Sequence, residues 1–241
     1  MFNQVLTKYQ ALLAEKFAQH NLTLKSYSDF DDMDRLLIEQ AGSDMPGGPN
    51  PMFSPRFNRM SADRSFWLAL ETPGGELACT VAAKKFNNVT DIEELWHSLR
   101  IVYDDDSKPA PADQFIMDTV FPEGLEGTMS ITGRGWTRSD FRRRGLVRDL
   151  VVLSRAECLS RWLIDWHLGT TTANHISGGR EASCFAYDPD TNVDRLGFYL
   201  KPIGEKVTMH LHLLWMSPDQ IVNLVSEETA RLTEALNIAA A

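Results

Sequence analysis

The chain has 241 residues, 43% of them hydrophobic and 24% charged, and carries a formal net charge of -9. That length and balance suit a globular core and give no reason to expect disorder. The acidic surplus argues against a general nucleic-acid binder, because neutralising a phosphate backbone takes clustered Lys and Arg.

The N-terminal stretch mixes Lys, Glu and Gln with apolar residues, so no secretory leader is expected, and no run approaches the roughly 18 apolar residues of a membrane span. Cys79, Cys158 and Cys184 are widely spaced. They make neither a disulfide framework nor a zinc pair, and a cytoplasmic setting is expected.

In chain order, Phe2, Val5, Leu6, Tyr9, Leu12, Leu13 and Phe17 recur at helical spacing and predict an amphipathic helix that stops near Asn21. A short strand, Leu22 to Tyr27, leads into Ser28–Asp32, side chains that can cap a helix carrying Met33, Leu36, Leu37 and Ile38. The segment Gly42 to Arg64 is rich in proline, has no sustained period and is read as a long loop, either a lid over a ligand or simply disordered.

Phe66–Leu70 and Leu77–Lys84 are rich in strand formers and flank a Pro73-Gly74-Gly75 turn, which predicts a hairpin. Ile92, Leu95, Trp96 and Leu99 suit a helix. Asp104, Asp105 and Asp106 suit a solvated turn, since they lack the alternating ligands and glycine of a calcium loop. Further strands are expected at Phe115–Phe121 and Thr128–Thr137.

Glycines at 133 and 135 interrupt the second of these strands, a pattern that signals a bulge or the close approach of a ligand. After it come Arg138-Ser139-Asp140-Phe141-Arg142-Arg143-Arg144-Gly145, and then apolar positions 146, 150, 153, 156 and 159 mark a long helix. The first turn of a helix leaves amide N–H groups without intrahelical partners, backed by the positive end of the helix dipole. Gly145 lets an anion approach the backbone, while three arginines add charge-assisted hydrogen bonds. The chemistry points to a phosphorylated ligand.

Arg142-Arg143-Arg144-Gly145-Leu146-Val147 resembles the signature of the GNAT superfamily of acyl-CoA-dependent N-acetyltransferases: Arg or Gln, two residues, Gly, one residue, then Gly or Ala. Val147 stands where that family carries a small residue. The resemblance implies an α/β fold, with a mixed, mostly antiparallel central sheet flanked by helices. The chain would be one domain over residues 1–241, with helices over 1–21 and 217–238 as appendages that pack outside the core or build a homodimer contact.

By the same resemblance the backbone from Arg143 to Val147, with Arg142 beside it, would hold the pyrophosphate of acetyl-CoA or another acyl-CoA. Gly135, Trp136 and Thr137 would pair with the pantetheine arm, and Asn174 is the available asparagine for a further contact with that arm. The family's Tyr-x-x-x-Gly-Phe ending aligns with Val193 to Phe198, so its phenol is absent at Val193. Tyr187 and Tyr199 are the nearest phenols, and Tyr187 is taken as the candidate acid.

Thioester aminolysis also needs a group to remove the amine proton. Glu123, Glu126, His167, His175, His210 and His212 are candidates, of which Glu126 and His167 are carried forward. Leu163–Thr172 and Val207–Trp215 read as strands; His210 and His212 share a face without an obvious third ligand, and no metal is expected. Ser217-Pro218-Asp219 caps a last helix. The expected function is acyl transfer to an amine, with a coenzyme A-binding module that has lost its chemistry as the alternative.

Overall fold

The computed structural model describes residues 2–41, 50–103, 114–116, 121–172, 186, 194–201 and 209–240. Five helices and eight strands carry the described fold: α1 (Phe2–Ala18), β1 (Thr23–Tyr27), α2 (Phe30–Ala41), β2 (Ser65–Glu71), β3 (Leu77–Val89), α3 (Ile92–His97), β4 (Gln114–Ile116), β5 (Gly127–Thr137), α4 (Leu146–Trp162), β6 (Trp166–Thr172), β7 (Asp194–Lys201), β8 (Met209–Met216) and α5 (Pro218–Ala240).

The strands form one sheet in the order β1-β2-β3-β5-β6-β8-β7-β4. Among the described residues every neighbouring pair is antiparallel except β5 and β6, which run parallel. This is the mixed, mostly antiparallel sheet with flanking helices that the sequence leads one to expect.

The central strands are covered on both faces, so successive side chains of one strand enter different cores. In β2, Trp67 and Ala69 pack with α2, whereas Phe66, Leu68 and Leu70 pack with α1 and α4. In β8, Leu213 and Trp215 take the first side and Leu214 and Met216 the second. Such strands read as continuous apolar runs.

α1 buries Leu6, Tyr9, Leu13 and Phe17, one per turn, against α4 and α5. Burying a large apolar side chain contributes about 1.5–3 kcal/mol, so the two terminal helices are integral to the second core. Asp29 caps α2 by accepting from Asp32 N at 3.1 Å. At the start of α5, Ser217 Oγ accepts from Gln220 N at 3.3 Å and Gln220 Oε1 accepts from Ser217 N at 2.7 Å, a reciprocal capping box.

Three boundaries differ from expectation. β3 continues past Asn87 and Asn88 to Val89, because a register shift with Asn88 at φ 53° absorbs the irregularity while the ladder to β5 resumes. Leu163 does not begin β6: it ends α4 in a left-handed conformation, φ 49°, and is exposed. The long loop contains a short 3-10 turn, Pro51–Phe53, whose Met52 and Phe53 are buried in the α2 side of the core. The Asp104–Asp106 stretch lies outside the described residues.

Candidate active site at the splayed strands

β5 and β6 pair only from Met129↔Trp166 to Thr132↔Gly169. Beyond that point β5 stays bonded to β3 as far as Thr137↔Cys79, and β6 stays bonded to β8 as far as Thr172↔Leu211. Each strand therefore keeps its outer neighbour and loses its inner one. Among the described residues the two strands diverge between Gly133–Thr137 and Thr170–Thr172 in a V-shaped opening, where a backbone group not paired within the sheet takes a partner outside it.

A bulge sits where this opening begins, next to the last β5–β6 pair. Between Ala82↔Gly133 and Thr80↔Trp136 the chain advances two residues on β3 but three on β5, and Arg134 takes φ 56°. The extra residue re-aims the strand. The Arg134 guanidinium is nearly buried on the α2 side, with Nη2 3.5 Å from Asp34 Oδ1. Burial lowers the pKa of Arg134 from the usual arginine value and Asp34 opposes that shift. Asp34 also accepts from Ser54 Oγ at 2.7 Å, fastening the segment after the 3-10 turn to α2.

Gly133 is sterically required. A Cβ built on it would lie 2.6 Å from Cε2 of Phe53, so the phenyl ring lies directly on the strand backbone. The described part of the proline-rich segment, residues 50–64, is thus held against the strand beside the bulge by Phe53.

At the end of β5, Arg138 N donates to Ala78 O at 2.9 Å, and the chain enters a 3-10 turn, Ser139–Phe141. The Arg138 and Arg144 guanidiniums both lie 4.8 Å from the centre of the Phe141 ring, in the range of a cation–π contact. Arg138 is paired with Glu76 and Asp140, each at 2.8 Å, and Arg144 Nη2 donates to Asp140 O at 3.1 Å. Arg142 Nε donates to Thr137 O at 3.2 Å. Local contacts thus pre-order three of the arginines, while Arg143 is exposed at φ 67°.

Gly145, at φ 73° and ψ 8°, is the N-cap of α4 and supplies no side-chain cap. The amides of Leu146 and Val147 follow in the first turn, where intrahelical acceptors are lacking. Left-handed residues at 143 and 145 before an uncapped helix make a concave turn of the kind that receives anions.

Beneath the turn lies a polar cluster. Asp149 is buried, accepts from Lys16 Nζ at 2.6 Å and stands 3.8 Å from Arg231 Nη2. Burial raises its pKa above the usual aspartate value, and Lys16 is the main opposing influence. Arg148 Nη2 meets Glu228 Oε1 at 2.6 Å.

Among the residues singled out from sequence, Gly135, Trp136, Thr137, Arg142, Arg143, Arg144, Gly145, Leu146 and Val147 fall together along the open edge of β5 and the turn after it. Trp136 is nearly buried in the α2-side core, and among the described residues its Nε1 has no hydrogen-bond partner. Thr137 Oγ1 lies 3.3 Å from Cys79 Sγ.

Glu126 and His167 are placed elsewhere. Glu126 is exposed just before β5, separated from the opening by the whole paired stretch Met129–Thr132. His167 is fully buried at the closed base of the V, with Nδ1 2.8 Å from Ser130 Oγ. Burial pushes its pKa well below the usual histidine value, with nearby Arg155 acting in the same direction. Its ring therefore reaches no ligand surface and stays neutral near pH 7. Tyr187, Asn174 and His175 lie outside the described residues.

Sequence reasoning missed Asp34, Phe53 and Lys16. Asp34 sits among capping acids and Lys16 on a helix flank, and neither position carries a local signal for what it meets across the fold.

No family model and no curated protein matches the chain in sequence. Among solved structures it is similar to NAA60 of Arabidopsis thaliana in complex with acetyl-CoA, with 16% identity and a TM-score of 0.48 over 82% of this chain and 99% of that one. It is similar to the ribosomal-protein-S5-alanine acetyltransferase of Vibrio fischeri, with 10% identity and a TM-score of 0.46 over 83% and 95%. A third is the GNAT superfamily phosphinothricin acetyltransferase of Sinorhizobium meliloti in complex with acetyl-CoA, with 11% identity and a TM-score of 0.43 over 82% and 89%. The similarity spans most of each chain and involves few identical residues.

Proposed function

We propose that this chain is an acyl-CoA-dependent N-acyltransferase of the GNAT type, using acetyl-CoA or another acyl-CoA to acylate an amine. One observation carries the reading: among the described residues β5 parts from β6 after Thr132, and the chain then passes through the arginine-rich turn to the start of α4, which has no side-chain cap. An acyl-CoA has complementary parts in the same order. Its pantetheine amides match the strand edge of β5 at the splay, and its pyrophosphate matches the Arg143–Val147 backbone with the arginine side chains around it.

With the donor so placed, the thioester would lie at the base of the V, near the bulge. The neutral amine nitrogen attacks the thioester carbonyl, backbone N–H groups near Trp136 stabilise the oxyanion, the surplus proton on nitrogen passes to solvent water, and the tetrahedral adduct collapses by breaking its C–S bond with loss of the thiolate. Tyr187 is the proposed donor of the thiolate's proton, and Asn174 a proposed contact for the arm. His167 is left out of proton transfer by its burial, and Glu126 by its distance along β5.

Those two placements favour a second reading, a coenzyme A-binding module without transfer chemistry. Both readings require that coenzyme A bind. Thermal-shift and calorimetric titration with coenzyme A tests this, and absence of binding at saturating concentration refutes both. Thiol release from acetyl-CoA across a panel of small amines, amino acids, aminoglycosides and peptide termini separates them, since a module without chemistry releases none above the rate without protein.

A further inference from the structure

We infer that Lys16, on the N-terminal helix α1, is a phosphate-binding residue of the cofactor site, completing from outside the motif the cradle made by Arg143–Val147. The inference rests on the reading of that turn as a coenzyme A pyrophosphate site. Outside its chain neighbours, the atom nearest to a Cβ built on Gly145 is Lys16 Nζ, at 3.8 Å. The ammonium of a residue far away in sequence thus stands beside the glycine at which the phosphate would meet the backbone.

Two further features support a role in binding. An ammonium has three N–H donors, and the described contact commits one of them, to Asp149 Oδ2 at 2.6 Å. The Lys16 side chain is 18% exposed whereas that of Asp149 is 1% exposed, so the lysine has an outlet to the surface that its partner lacks.

The second feature is the charge of Asp149 itself. It lies in the first turn of α4, its N–H donating to Gly145 O at 3.2 Å, so a bound pyrophosphate would sit within a helical turn of a buried carboxylate. Like charges that close repel strongly where water is scarce. An ammonium between them, bonded to the carboxylate on one side and open to the anion on the other, converts repulsion into a bridge. Arg231, at 3.8 Å from Asp149 Oδ1, reinforces the neutralisation from α5. Lys16 therefore both offsets Asp149 and contacts the anion.

The test separates these two parts by calorimetric titration of coenzyme A into the full chain and into the Lys16→Met, Asp149→Asn and Lys16→Met/Asp149→Asn variants. The double variant has no buried lone charge at this pair, which guards against simple unfolding. Direct contact predicts that the double variant binds coenzyme A about tenfold more weakly than Asp149→Asn alone, with a shallower dependence of affinity on salt. Equal affinity in those two variants would overturn the inference, because Lys16 would then serve Asp149 only. If the unaltered chain fails to bind coenzyme A, the function proposed above falls, and the inference with it.

Discussion

A Cβ built on Gly135 would come within 3.3 Å of Val147 Cγ2, so the open edge of β5 and the first turn of α4 are fitted to each other across a missing side chain. Val147 stands where the signature that this turn resembles carries a small residue. Here the small residue is on the strand. The departure in the motif and the glycine in the strand form one compensated pair.

This pairing makes a prediction about coupling. Gly135→Ala forces Val147 to give by a few tenths of an ångström and should weaken coenzyme A binding, while Val147→Ala should have little effect alone. The double variant should recover most of the loss, with an interaction energy of about 1 kcal/mol in a double-mutant cycle. Additive losses in titration would show that the two residues do not act together.

Gly133 makes the stronger steric statement. Gly133→Ala would press a methyl into the Phe53 ring, and overpacking of this kind costs about 1–3 kcal/mol. Denaturant unfolding should show that loss. Limited proteolysis should show earlier cleavage within residues 50–64 as the Pro51–Phe53 turn lifts from the sheet. Phe53→Leu in the same background should relieve part of the strain.

His167 gives a pH dependence whose sign follows from its burial. Its folded-state pKa lies well below 6.5, the value taken as its unfolded reference. The unfolded chain therefore takes up a proton near pH 6.5 that the folded chain refuses. The stabilisation is fully present above that pH and is lost as pH falls toward the folded value, by up to about 1.4 kcal/mol per pH unit. Unfolding titrations from pH 7.5 to 5 should show this slope, and His167→Gln should flatten it. An unchanged slope in the variant would place the proton uptake elsewhere.

Cys79 and Cys158 are free and buried, and burial pushes both thiols up to about 12. They should resist alkylation in the native state at pH 8 and become labelled only on unfolding, because the thiolate is the reactive species. Mass-spectrometric mapping of iodoacetamide adducts checks this. Native labelling at either position would show that the core around α4 opens readily.

The parts of this molecule most legible in the sequence are those whose cause is local. Arg142–Gly145, followed by apolar residues at helical spacing, announces the turn and α4, and Gly133 with Gly135 announces the bulge. The orientation of His167 was not legible, because a strand buried on both faces has no polar side to mark its outside. The partnership of Gly133 with Phe53 was equally hidden, since a glycine carries no trace of the ring that covers it. Lys16 is one of several charges on an amphipathic helix, and only the packing of α1 against α4 brings it to Gly145. Asp34 was masked by the acidic residues that cap α2 around it.

The lashing of α4 by Lys16–Asp149 on one side and Arg148–Glu228 on the other has a consequence for synthesis. The turn and the helix behind it are translated together, but Glu228 emerges from the ribosome well after them. Until it does, Arg148 lacks its acidic partner from α5, and the helix start is held from one side. The start of α4 would therefore reach its final setting late, when α5 packs against α1 and α4.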